Sequence, residues 1–288
     1  MLGACGSNAQ APDAAIEPDA APACGCRYGS PRLAGAVTPD VANELSGLAV
    51  SLAIADTVWT HNDKGDTARL FALTTYGAGK GIALLPNATA VDWEDIAVAP
   101  CAGGSCIYVA DTGDNLGARA QVRIYEVDEP AEIRGMVEVN YRAFDITYPD
   151  GPHDSEALFV DPRDGASYAI TKQATSPSTV FRMPRVAGGG TAATVATLTI
   201  PSGDLQITGA DLHVDACGVH LLVRTYSGLW ELSAPVGATI AQLLAMPPLT
   251  VPVAIEPQGE SVAYLPSGHA YLTVTDGADP RLSRVSCD

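Results

Sequence analysis

Five short segments of the chain align on their apolar residues: "ELSGLAV" from Glu44, "DWEDIAV" from Asp92, "DSEALFV" from Asp154, "TGADLHV" from Thr208 and "QGESVAY" from Gln258. Their third positions are Ser46, Glu94, Glu156, Ala210 and Glu260. Three carboxylates and a hydroxyl in register, each opening an apolar run, are costly as plain scaffold. If the five segments converge in space, these side chains meet. Carboxylates sharing a narrow space repel unless they take up protons or a cation neutralises them. A hard divalent ion suits such a set, because Ca²⁺ takes six to eight oxygen ligands. No His or Cys belongs to the set, which argues against zinc or copper. Ser46, Glu94, Glu156 and Glu260 are therefore the candidate ligands of one central Ca²⁺. The plainer reading of an acidic opener is a carboxylate that accepts backbone N–H groups or pairs with a neighbouring Arg.

The elements that would bring the openers together follow from the repeat. The openers are spaced 48, 62, 54 and 50 residues apart. Each is followed by a second run ("TVWTHND", "CIYVADTGDN", "SYAITKQ", "VHLLVRTY", "HAYLTVTDG") and a third ("RLFALTT", "VRIYEVDE", "TVFRMPR", "GLWELSA", "RLSRVSC"). A fourth bridges to the next unit, as in "YRAFDITYP" and "ATVATLTIP". These runs are rich in Val, Ile, Tyr and Thr and broken by Gly, Pro, Asp and Asn, an all-β pattern. Four strands per unit of about 50 residues, repeated around a ring, describe a β-propeller. Five blades are expected. Six is the alternative if the long 62-residue unit hides another, but no sixth acidic opener is present. The last repeat stops after its third strand, and "RLAGAVT" (Arg32 to Thr38) is expected to supply the fourth and close the ring.

In such a ring the loops between second and third strands open on the same face as the acidic mouth. They read "HNDKGD", "DTGDN", "KQATS" (Lys172 to Ser176), "RTYSG" and "TDGAD". Turn chemistry accounts for part of this composition. It does not account for Lys172 and Arg224 entering one rim. Two cations beside an acidic metal centre suit a small anionic or phosphorylated ligand, with Asn62, Asn115, Lys172, Arg224 and Asp276 as its candidate contacts. Asp63, Asp95, Asp111, Asp114 and His153 are the candidate acids or bases, although a solvent-exposed loop is the plainer setting for His153. "DTGDN" fails the EF-hand pattern, lacking its twelfth-position Glu. "LSGLA" lacks the G-x-S-x-G elbow of a serine hydrolase.

Composition sets the surroundings. The chain has 288 residues, enough for one large all-β domain. Sixteen Lys and Arg face 33 Asp and Glu, for a net charge of -17. Such a surface repels nucleic acid polymers and anionic lipid. No run approaches a membrane span. Leu2-Gly3-Ala4-Cys5 resembles a bacterial lipobox followed by an Ala/Pro/Asp tether. Residues 1–23 are thus expected to be a disordered anchor and 24–288 a single propeller domain, exported and either lipid-anchored through Cys5 or secreted. With Cys5 set aside, six cysteines remain, an even number that suggests disulfides in an exported chain. In the ring all six fall on the face opposite the mouth. Cys101 and Cys106 flank a tight loop and are expected to pair. Cys24 and Cys26 are expected to pair with Cys217 and Cys287, in an order the sequence leaves open. A monomer is expected.

The opener set resembles that of the calcium-activated nucleotidases (apyrases), which are five-bladed propellers with a central Ca²⁺. "ELSGLAV", "HDSEALFV" and "GESVAYL" carry the likeness. It implies Ca²⁺ held by Ser46, Glu94, Glu156 and Glu260. Ala210 departs from the pattern, where a Ser is expected, so a carbonyl or water would complete the shell. Most of the chain also resembles bacterial exported propeller proteins grouped loosely with esterase-like phytases or gluconolactonase-type propellers. Two functions follow as expectations: a metal-dependent hydrolase of a phosphoester or similar anion, or a non-catalytic surface binding or scaffold propeller with a structural Ca²⁺.

Overall fold

The computed structural model describes residues 24–38, 44–175, 177–277 and 279–288. The lipobox, Cys5 and the tether lie outside the described residues, as does Ser176. The described residues form five antiparallel-cored sheets arranged as the blades of a propeller. The innermost strands of the first four blades are Leu45–Val50, Trp93–Cys101, Ser155–Asp161 and Ile207–Val214. The fifth blade has only a two-residue inner strand, Ala263–Tyr264. Arg32–Ala36 pairs antiparallel with Arg281–Ser286, so the N-terminal run closes the ring as the outer strand of the last blade.

The core explains why the ring has five members. Buried apolar side chains fall into five clusters, one at each interface between neighbouring blades. Phe71 and Leu45 meet Leu272 and Leu282 across the closure, and Trp59 meets Trp93 and Tyr125 across the next interface. A blade is covered on both faces, so its first and second strands can read as unbroken buried runs. Val58–Asn62 and Ser155–Asp161 are buried throughout. The outer strand Tyr141–Thr147 alternates with solvent instead.

The long second unit holds no sixth blade. Its extra residues run back to add Gly135–Glu138 in parallel to Gly79–Leu84 on the outer edge of blade one. Gly190–Thr191 likewise extends blade two. Both additions cover edges that would otherwise offer unpaired backbone groups. One short helix, Ile240–Leu244, was not visible as a periodic pattern. Thr239 caps it in a capping box with Gln242, and its apolar side packs on the interface of blades three and four.

The three disulfides are Cys24–Cys217, Cys26–Cys287 and Cys101–Cys106. The first two tie the N-terminal segment to blades four and five beside the closing strand. A cross-link over a long separation removes more unfolded-state freedom than a local one. Cys26–Cys287 spans 261 residues and Cys101–Cys106 only five. Replacing Cys26 and Cys287 together by Ser is therefore expected to lower the unfolding free energy by about 2–4 kcal/mol in a denaturant titration. Replacing Cys101 and Cys106 costs less; a larger loss there would contradict the closure argument.

Candidate metal centre at the channel mouth

Four inner strands carry the same irregularity at the same place. Each has an extra residue relative to its partner strand: at Gly47 between Ser46 and Leu48, between Trp93 and Ile96, between Ser155 and Ala157, and between Ile207 and Gly209. A β-bulge re-aims side chains and often sits beside functional sites. Here it breaks the period-two alternation at the openers. Glu94 is turned to the mouth, while its neighbour Asp95 is turned to the middle of the ring. Gly47 adopts φ 65°, and a Cβ there would meet the His61 ring and Ile96 at 2.9 Å.

Hydroxyl groups stitch the openers to one another. Ser46 Oγ donates to the Glu94 carbonyl. Thr112 Oγ1 donates to the Ser155 carbonyl at 2.6 Å, and Thr208 Oγ1 to the Gly259 carbonyl at 2.7 Å. Each bond crosses from one blade to the next.

Two compact groups of carboxylates result. Asp63, Asp92 and Glu94 form one; Glu94, Asp154 and Glu156 form the other, with the ligand atoms within each group inside 4.8 Å of one another. Glu94 belongs to both. It is 6 % exposed, and no donor among the described residues bonds its carboxylate. It lies directly over Gly113, where a Cβ would fall 1.9 Å from Glu94 Oε1. A glycine, a buried carboxylate without a donor, and an all-oxygen set fit a hard divalent cation.

Electrostatics agree with the geometry. Burial, then the charges of Glu156, Asp63, Asp92 and Asp154, hold the Glu94 carboxyl well above the usual range. Burial pushes Glu156 up to about 7, although Lys172 pulls against it. Burial, Asp276 and Glu156 push Glu260 up to about 8. Glu260 thus faces the same mouth but stands outside the two compact groups. The opener of blade five forms no continuous strand; its Gly259 makes an isolated bridge to Thr275 and is packed onto the Arg224 guanidinium, where a Cβ would fall 1.6 Å from Nη2.

Several sequence candidates are placed elsewhere. Arg224 does not reach the rim. It is fully buried and paired with Glu256 at 2.8 Å, which in turn accepts from Thr273 Oγ1. Asp95 is no base. Its Oδ1 accepts from Ile96 N, and its Oδ2 from Leu158 N of blade three at 2.8 Å and Ala210 N of blade four at 3.0 Å. Asp211, its counterpart in blade four, braces Tyr264 N of blade five in the same way. Asp111 holds the backbone N–H groups of Val91 and Asp92 and pairs with Arg119 at 2.8 Å. Asp114 holds the N–H groups of Ala118 and Arg119, closing its own turn. Asn62 is buried and donates to Asp66. His153 pairs with Asp150 and packs on Tyr148 and Phe181, outside both groups. Asn115 stays exposed on its loop. Asp276 is half-buried beside Glu260, bonded to its own turn at Gly277 N. Asp63 remains in the mouth, and among the described residues only the Lys64 N–H bonds its carboxylate. Trp93 packs edge-on to His61 with ring centroids 5.5 Å apart.

Besides Asp63, which the sequence offered as an acid or base, Asp92 and Asp154 are the group members that the opener alignment did not single out. Each lies two residues before a mouth glutamate, as D-x-E. A spacing of two puts side chains on one face of a strand, and that was the signal available.

The fold and the mouth define a five-bladed β-propeller with a carboxylate-lined channel entrance able to hold a metal ion. No protein-family model matches the chain, and no curated protein matches it. Among solved structures it is similar to one described as a gluconolactonase of Xanthomonas campestris important in glucose secondary metabolic pathways. That pair shares 15% identity and a TM-score of 0.45, covering 95% of this chain and 99% of that one. A second is described as the Dos1 propeller, with 11% identity and a TM-score of 0.39, covering 81% of this chain and 53% of that one. At these values neither likeness carries an argument about this chain, and the fold rests on its own strand pairing.

Two expectations follow. Raised carboxyl groups keep protons in the folded state that the unfolded chain has lost, so stability falls as pH rises through the folded values. The window runs from the usual 4.5 to about 7 for Glu156 and about 8 for Glu260. Thermal melts in chelator should show the melting temperature falling across it, and excess Ca²⁺ should abolish the fall. A melting temperature that climbs with pH in chelator would contradict this. Second, Asp95→Ala orphans three backbone N–H groups, each costing about 1–3 kcal/mol when buried and unpaired. Denaturant unfolding should show a loss of at least about 3 kcal/mol; an unchanged midpoint would refute the bracing role.

Proposed function

We propose that this chain is an extracytoplasmic calcium-binding β-propeller that holds one Ca²⁺ at its channel mouth and presents it to a small anionic ligand. The observation that carries the reading is Glu94, a buried carboxylate that no donor among the described residues bonds, shared by both acidic groups. Glu94, Asp92, Asp154, Glu156 and Asp63 would hold the ion, with Glu260 and Ser46 at its margin. Oxygen-only donors favour Ca²⁺ over zinc or copper. Three disulfides support an oxidising compartment outside the cytoplasm. Among the described residues no helix is long and apolar enough to cross a membrane. Attachment through a lipid on Cys5 belongs to the same proposal.

Hydrolysis is the second reading. A bound divalent ion would polarise a phosphoester or lactone and acidify a water. Asp111, Asp114 and Asp95 are spent on backbone N–H groups, and Asp63 serves as a base only where the other four carboxylates hold the ion without it. Binding without turnover is favoured by that same accounting.

Calorimetry of the full chain is expected to show one Ca²⁺ bound, and Glu94→Gln to weaken it by at least about tenfold, since it removes a charged ligand common to both groups. Unchanged affinity in Glu94→Gln would remove the mouth as the site. Nucleotides, phytate and lactones are then tested with Ca²⁺ and with chelator. Turnover lost in both chelator and Asp63→Asn establishes the hydrolase; its absence throughout leaves the binding protein.

A further inference from the structure

The chain contains three lysines, Lys64, Lys80 and Lys172. Two stand in the mouth, each on a carboxylate of a different group. Lys64 Nζ lies 3.1 Å from Asp92 Oδ2, but its side chain is 62% exposed. An ion pair that open to water contributes little. Lys172 is different. Its side chain is 11% exposed, its ammonium sits on Glu156 Oε1, and it also donates to the Tyr226 hydroxyl at 3.0 Å. Its own backbone N–H is fixed to the Asp154 carbonyl at 2.8 Å. The hydrogen bonds of this ammonium therefore join blade three to blade four at the edge of the acidic groups.

A divalent ion ligated by Glu156 would sit about 2.3–2.6 Å from a carboxylate oxygen. An ammonium on that carboxylate would then face a doubly charged neighbour at close range in a partly dry site, where like charges repel strongly. Lys172 occupies Oε1, and an ion on either oxygen of Glu156 therefore competes with it through that repulsion. The flexible four-carbon stem of a lysine lets the head move while the backbone stays fixed. We infer that Lys172 is an exchangeable counter-cation: a divalent ion displaces it from Glu156, and the displaced ammonium with the Tyr226 hydroxyl becomes the subsite for a small oxyanion beside the ion. The inference rests on the calcium reading above and specifies its ligand class and order of binding. An oxyanion arriving before the ion meets an ammonium already paired, among five carboxylates. Arriving after it, the anion meets a freed ammonium and a less negative site. Coupling between the two ligands is reciprocal, so the anion must tighten the ion by the same factor.

The test uses the full chain, Ca²⁺, and methyl phosphate as the anion probe. Amine acylation read by mass spectrometry follows the three lysines. Lys80, bonded to the Ala55 and Asp56 carbonyls and Thr57 Oγ1, is the internal reference. Lys172 should react several-fold faster with Ca²⁺ present and slow again when methyl phosphate is added, with Lys80 constant. In calorimetry, methyl phosphate should bind only with Ca²⁺ present. Lys172→Met should bind Ca²⁺ roughly tenfold tighter, because a competing charge is gone, and should lose the coupling. Tyr226→Phe should shift both in the same direction by less. Absence of Ca²⁺ binding by the wild type overturns the calcium reading and this inference with it. Ca²⁺ binding with Lys172 equally reactive in both states, or with equal affinity in Lys172→Met, overturns this inference alone. The labelling is done on the wild type, so a variant that fails to fold does not blunt it.

Discussion

The structure turns on mutual repulsion among carboxylates brought together where they cannot be fully hydrated. Glu94 touches the problem from every side. It lies on a glycine, shares two groups of acids, and receives no hydrogen bond among the described residues. Isolated buried charge of this kind is usually relieved by protonation, by pairing or by a metal. Burial and neighbouring carboxylates push Glu94, Glu156 and Glu260 upward, which favours their protonated forms. Pairing is visible in Lys172 and, weakly, in Lys64. Neither is complete: two ammonium groups face five carboxylates in the two groups. The remaining negative charge is what would suit the mouth to a cation.

Holding such a site open requires a scaffold that does not relax. Repulsion would spread the inner strands if only apolar packing joined the blades. The stitching by Ser46, Thr112 and Thr208 opposes that at the mouth. Deeper in, Asp95 reaches from blade two to backbone N–H groups of blades three and four, and Asp211 continues to blade five. On the opposite face, two disulfides fasten the start of the described chain, one to blade four and one to the end of blade five. The ring is closed at the far face, braced in the middle and charged at the mouth.

The sequence made the architecture legible because its signals are local and repeated. Strand runs, the closing strand and the local Cys101–Cys106 pair all follow from patterns a few residues long. The order Cys24–Cys217 and Cys26–Cys287 did not, since it depends on how one short segment lies across two blades. At the site, Glu94 and Glu156 were legible from register, and their group partners Asp92 and Asp154 were available through D-x-E spacing. Asp95 was misjudged because a bulge turns adjacent residues to different places. Arg224 was misjudged because a charged residue at a strand end reads as solvent-facing. Its partner Glu256 lies in an irregular segment with no pattern to flag it. The short inner strand of blade five was equally hidden, since "QGESVAY" reads as well as the other openers.

Diffraction from crystals grown with Ca²⁺ tests the central claim most directly. The account predicts one strong density peak at the mouth, about 2.3–2.6 Å from six to eight oxygens, with Glu94 among its ligands and Glu156 released from Lys172. Well-ordered side chains with water alone between Glu94, Asp92 and Glu156, at saturating Ca²⁺, would contradict it.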